Sequence, residues 1–299
     1  MQETRRGIAY GLAAYVIWGF LTVYWHELSG LSAFELIGQR ILWSVLLLVA
    51  VLAGTRNWAW VRSLDGRLLA RITAAAVLLA ANWTSYVWAV TNDNVVETAL
   101  GYFIAPLGTV LVGVVVLKEH LSRAQVAALS LAALAVVVLT LDYGRVPWIA
   151  LILGVTWSFY GLLKKQLPLT AIQGLTAETA VLVPLALLVV VVAEAGAGGI
   201  GEEASSWQLT LVVLSGVATT VPLLLFAAST RRVPLTTLGP LQYAVPTINF
   251  LLGVVVYGEP MPAWRLVGFG LVWVALALVT VEMVRRARRA PLPAYALSD

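Results

Sequence analysis

The stretch PLGTVLVGVVVLKE at residues 106–119 decides the fold, because the chain writes it twice. The second copy, PTINFLLGVVVYGE, spans residues 246–259. Each copy opens with proline, carries Gly-Val-Val-Val seven residues later (113–116 and 253–256) and ends in glutamate, all at an offset of 140. Just upstream, Thr98, Leu100 and Gly101 match Thr236, Leu238 and Gly239 at an offset of 138. Trp18 and Phe20 match Trp157 and Phe159 at 139. One such match is chance; a near-constant offset over several apolar stretches is the mark of a duplication.

Working outward from these motifs, apolar runs cover residues 7–25, 33–53, 70–91, 96–117, 122–141, 147–164, 171–193, 207–228, 235–257 and 264–284. A membrane-crossing helix needs about 20 mostly apolar residues. Lipid offers no water to unpaired backbone groups, so each run is expected to be an α-helix. The expected fold is therefore all-α and polytopic, with ten transmembrane helices. The repeat is about five spans long, and an odd number of spans forces the second copy to enter from the opposite side. This gives two inverted five-helix repeats, residues 1–143 and 144–284, and then a basic cytoplasmic tail at 285–299. Many secondary transporters are built this way, with the solute site near the midplane between the halves.

Composition agrees. Of 299 residues, 61% are hydrophobic and only 11% charged, and the mean hydropathy is +0.90; a soluble chain carries about 25% charged residues. The net charge of +4 sits in short basic pieces between apolar runs, which excludes nucleic acid as a partner. With no cysteine and two histidines, no metal site and no cofactor are expected. Arg5 and Arg6 precede an apolar stretch that runs on to Trp25 with no small-residue cleavage site, so the N-terminus reads as a first span rather than a signal peptide. With the N-terminus inside, 16 of the 19 lysines and arginines fall in cytoplasmic segments, including Lys164, Lys165 and the cluster at 285–289. Arg145 and Arg265 alone fall outside, and Arg40 lies within a span. This asymmetry predicts an even number of spans with both termini cytoplasmic.

Charge at bilayer depth is costly and marks functional candidates. Arg40 and Glu178 each stand seven residues into a span, 138 apart, at matching places in the two repeats. They are read either as a gating or coupling pair, with Glu178 as a proton carrier, or as charges neutralised locally, with Gln39 and Glu35 beside Arg40. Tyr102, Pro106 and Thr109 share one helical face, and Gln242, Pro246 and Asn249 repeat it. A mid-span proline frees a backbone carbonyl on the preceding turn, so these faces are expected to line a cavity together with Asn82, Tyr86, Tyr243 and Trp18. No GxxxxGK[ST], HExxH or GxSxG motif is present, so transport would draw on an ion gradient or membrane potential. Gly7 and Gly11 form one GxxxG close-packing motif.

These residues resemble a family. The chain is similar to RarD-type permeases of the EamA branch of the drug/metabolite transporter superfamily over nearly its whole length. The resemblance rests on Trp18-Gly19-Phe20 with Tyr24-Trp25, Arg40-Ile41-Leu42-Trp43-Ser44, Asn82-Trp83 and Leu100-Gly101-Tyr102-Phe103-Ile104. In the second half it rests on Pro222-Leu223-Leu224-Leu225-Phe226, Leu241-Gln242-Tyr243 and Gly258-Glu259-Pro260. Gln39 stands where the pattern leads one to expect His, and Ala105 where it leads one to expect Asn. The resemblance implies a multi-pass protein of the bacterial cytoplasmic membrane that exports or exchanges small metabolites or drugs.

The function expected is a secondary transporter, not an enzyme, moving a small solute by alternating access, with proton coupling and a homodimer both open. Two rivals are an intramembrane enzyme acting on lipid-linked substrates, which would need clustered acid, base or metal ligands at one depth, and a structural or sensory membrane subunit.

Overall fold

Serine and threonine caps set where the long apolar runs begin. Ser32 accepts the Glu35 backbone N–H and starts helix α2 (Ala33–Thr55), which ends on Arg56 in the left-handed region, φ 50°. Thr170 with Gln173, and Ser205 with Gln208, form reciprocal capping boxes that open α7 (Ala171–Glu194) and α9 (Ser206–Thr230). The other long helices are α1 (Gln2–Glu27), α3 (Gly66–Thr91), α4 (Val95–Val115), α5 (Arg123–Tyr143) and α6 (Trp148–Gln166). The short α8 (Ile200–Glu203) interrupts the acidic, glycine-rich link between α7 and α9. In this computed structural model residues 2–56, 58–91, 95–143, 146–196 and 198–256 are described, together with twelve helical residues between 266 and 282. Gly258-Glu259-Pro260, Arg145, Arg265 and the tail at 285–299 lie outside the described residues. Among the described residues, six helices are long and apolar enough to cross a membrane, and α4 and α5 carry shorter apolar stretches.

The run at 235–257 is broken. It forms α10 (Leu235–Leu241), α11 (Ala244–Leu251) and a π-helical turn, Leu252–Val256. The break falls at Gln242 and Tyr243, not at Pro246. Pro240 supplies no N–H to Thr236, and the carbonyl of Thr236 instead accepts Gln125 Nε2 at 3.1 Å. Pro246 stands in the first turn of α11, where its missing N–H costs nothing. Pro106, by contrast, sits inside α4, whose helical assignment runs on through it.

α2 packs on α7 and α9, α1 on α9 and α11, α6 on α3 and α4, and α4 on α10. α2 and α7 run antiparallel, since Gly38 near the start of α2 meets Ala186 and Val190 near the end of α7. The GxxxG motif is a close-packing site: Gly7 lies against Arg232 and Val233, Gly11 against Leu238 and Ser229, and the Ser229 hydroxyl donates to the Gly7 carbonyl at 2.5 Å. The tightest backbone approach is at Gly216 of α9, where a Cβ would stand 2.6 Å from the Trp43 carbonyl carbon.

Candidate functional site

Glu178 is sealed in. Its carboxylate accepts Lys164 Nζ at 2.8 Å and the Tyr160 hydroxyl at 3.1 Å, and its relative exposure is 0%. Lys164, expected in a solvated cytoplasmic segment, is itself buried. A buried charge left alone is strongly destabilising, and a good geometry with extra hydrogen bonds is what offsets the desolvation. Nearby, Glu119 caps the start of α10 through the Leu235 and Thr236 N–H groups at 3.1 and 2.9 Å, with Lys165 3.6 Å away. Lys165 also donates to the Val233 carbonyl at 2.8 Å. This end of the molecule is closed by polar groups that satisfy one another.

The middle is closed by rings. Tyr15 and Trp18 of α1, Trp157 and Tyr160 of α6 and Phe226 of α9 pack with centroids 5.0–6.2 Å apart. Trp18, expected to line a cavity, meets Trp157 edge-on at 5.2 Å inside this plug.

Arg40 stands at the other end of the α2–α7 contact and does not meet Glu178. Its Nε donates to Thr219 Oγ1 at 3.2 Å. Its guanidinium lies over Trp83 at 4.0 Å and near Trp25 at 5.2 Å. Among the described residues no carboxylate lies within 4.0 Å of Arg40, and neither terminal amino group has a hydrogen-bond partner. Glu35, five residues earlier, accepts the Ile200 N–H at 3.1 Å through Oε2. Tyr86 and Tyr102 pair edge to face at 6.3 Å within the electrostatic reach of Arg40, yet they remain 39% and 36% accessible.

The remaining sequence candidates tie helices together. Asn82 donates to the Leu153 carbonyl at 3.0 Å and to Thr156 at 2.9 Å, holding α3 to α6. Gln242 donates to Thr109 at 2.9 Å, and Thr109 in turn donates to the Ala105 carbonyl at 2.9 Å. The Tyr243 hydroxyl donates to the Phe103 carbonyl at 3.1 Å. Asn249 accepts Thr22 at 2.7 Å. Pro106 lies with Pro240 and Tyr243 along a small apolar cleft, and Pro246 is buried. Sequence reasoning did not single out Lys164, Thr219 or the ring contact of Trp83 with Arg40. The signal for Thr219 was two adjacent threonines deep in an apolar run; Lys164 carried none, because a lysine at a helix end reads as a topology charge.

The model of the EamA-like transporter family matches this chain twice, over residues 5–141 and 146–281. A protein named RarD from Streptomyces exfoliatus is 41% identical over 289 residues, covering 96% of this chain and 92% of its own length. A Bacillus subtilis protein named uncharacterized transporter YojE is 39% identical over 296 residues, covering 96% of this chain and 97% of its own length. A solved crystal structure superposes with a TM-score of 0.71 at 20% identity, covering 95% of this chain and 98% of the other, a likeness of fold.

Proposed function

The chain belongs to the EamA-like transporter family, and from that premise we propose that it is a ten-span secondary transporter whose two inverted halves alternately expose one solute site. The observation that carries this reading is that equivalent residues touch. Trp18 meets Trp157, 139 positions later, and Phe103 accepts from Tyr243, 140 positions later. Residues can contact their own equivalents only near an axis that relates the two copies. The packing pairs support the same axis: α1 on α9 is matched by α6 on α3, α1 on α11 by α6 on α4, and α2 pairs with α7. The family model matching in two consecutive blocks adds to this.

The distribution of basic residues supports a reading with both termini in the cytoplasm of a bacterial cell. The Glu178 end then faces inward and the Arg40 end outward. Glu178 with Lys164 and Tyr160, backed by the aromatic plug, acts as the closed inner gate. Tyr86 and Tyr102, still accessible beside Arg40, stand on the open path. Trp18, Asn82, Pro106, Gln242, Tyr243, Pro246 and Asn249 line the passage as the halves rock. Opening the inner gate requires the Lys164–Glu178 pair to part. Protonation of Glu178 lowers that cost and couples the step to a proton gradient. The solute is a small metabolite or drug-like molecule, and the relative's transporter name favours flux over catalysis.

Counterflow into proteoliposomes, with amino acids, nucleosides and amphenicols offered and a pH gradient imposed or omitted, tests this. Saturable flux that tracks the gradient in the wild type and loses that dependence in Glu178→Gln is expected. Folded protein that carries none of these solutes would turn the weight toward a structural or sensory role.

A further inference from the structure

We propose that Arg40 is the receptor for the carboxylate of an amphipathic organic acid, whose apolar body rests on the Tyr86–Tyr102 pair. This deepens the transport reading and rests on it for the route, while the receptor itself stands on the geometry around Arg40.

An arginine has five N–H donors and no acceptor. Arg40 spends Nε on Thr219, so both terminal amino groups, the end that grips a planar anion through two parallel hydrogen bonds, have no partner among the described residues. Trp83 and Trp25 hold the guanidinium by its ring contacts without supplying a counter-charge. A cation kept at bilayer depth without an anion is costly, and an anion that arrives with the solute removes that cost. The charge count selects the class. A phosphate dianion calls for more than one cation, and the other lysines and arginines among the described residues lie at the opposite helix ends, by Arg5, Arg56, Lys118, Lys164 and Arg231. One guanidinium fork matches one carboxylate. The accessible Tyr86 and Tyr102 rings provide an apolar wall.

The test is calorimetric titration of the full chain in phosphatidylcholine nanodiscs with 3-phenylpropionate, indole-3-propionate and octanoate, each against its amide, and with phenyl phosphate. At least one acid is expected to bind about 10-fold or more tighter than its amide, with Arg40→Gln erasing the preference and Arg40→Lys keeping part of it. The proposal falls if no acid is preferred, if the preference survives Arg40→Gln, or if phenyl phosphate binds best. It also falls if phosphatidylglycerol in the disc displaces the acids competitively, since Arg40 would then hold a lipid headgroup. Parallel counterflow separates the two readings. Flux without acid preference overturns the receptor and leaves transport standing; Arg40-dependent binding with no flux of the bound acid does the reverse.

Discussion

Seven residues into α2 stands Arg40, and seven residues into α7 stands Glu178. The second finds a lysine at 2.8 Å, a tyrosine at 3.1 Å and no accessible surface. The first finds a threonine hydroxyl, two indole faces and no carboxylate among the described residues. Matching register in a duplicated chain therefore does not mean matching surroundings. A two-fold arrangement that was perfect would give both halves the same environment and hold the molecule at the midpoint of its cycle. Here one end is satisfied internally and the other presents donors unused among the described residues, an asymmetry that fits the proposed carrier resting on one side.

Four substitutions can break or sharpen this contrast. Lys164→Ala should have the largest effect on stability, about 3–5 kcal/mol, because it strands a buried carboxylate. Loss of folded yield and a lowered unfolding midpoint in detergent would register it. The double variant Lys164→Met with Glu178→Gln should recover most of that loss; no recovery would mean that the pair is not what makes this end stable. Gly216→Ala comes next, at roughly 1–3 kcal/mol, since its Cβ would stand 2.6 Å from the Trp43 backbone; by pushing α9 from α2 it should also disturb the Arg40–Thr219 bond, visible as altered quenching of Trp fluorescence. Thr109→Val should cost about 1–2 kcal/mol, because Gln242 loses its buried acceptor, and thermal unfolding would measure it. Arg40→Gln should change stability least, by under about 1 kcal/mol, because among the described residues its only side-chain hydrogen bond goes to Thr219. An Arg40→Gln protein as unstable as Lys164→Ala would erase the distinction between a sealed and an open end.

The helices long and apolar enough to cross a membrane, six among the described residues, were legible because apolar length is a property of the chain alone. The caps at Ser32, Thr170 and Ser205 act within three residues, yet those starts are read in the sequence from apolar length alone. Partners were not legible. Glu178 and Lys164 are 14 positions apart across a turn between helices, a spacing that no helical period reveals. The break in the ninth apolar run turned on Pro240 rather than Pro246, because the freed carbonyl must find another donor, and Gln125 lies on a different helix. Asn82 and Gln242 stand out in the sequence as polar groups inside apolar runs, but whether such a group faces a solute or ties two helices depends on neighbours 71 and 133 positions away. In this structure both tie helices.

The Lys164–Glu178 pair also bears on how the chain enters the bilayer. α6 and α7 are consecutive, joined by the four residues between Gln166 and Ala171, so they can leave the translocation machinery as one hairpin. A lone carboxylate at a helix centre adds about 2.5–3.5 kcal/mol to insertion. Paired within the hairpin, Glu178 is neutralised before it meets lipid. Arg40 has no such early companion: Thr219 lies on α9 and emerges long after α2 has been placed. Until then its long side chain must reach for the headgroups, so α2 is the span whose placement during synthesis should depend most on helices made after it.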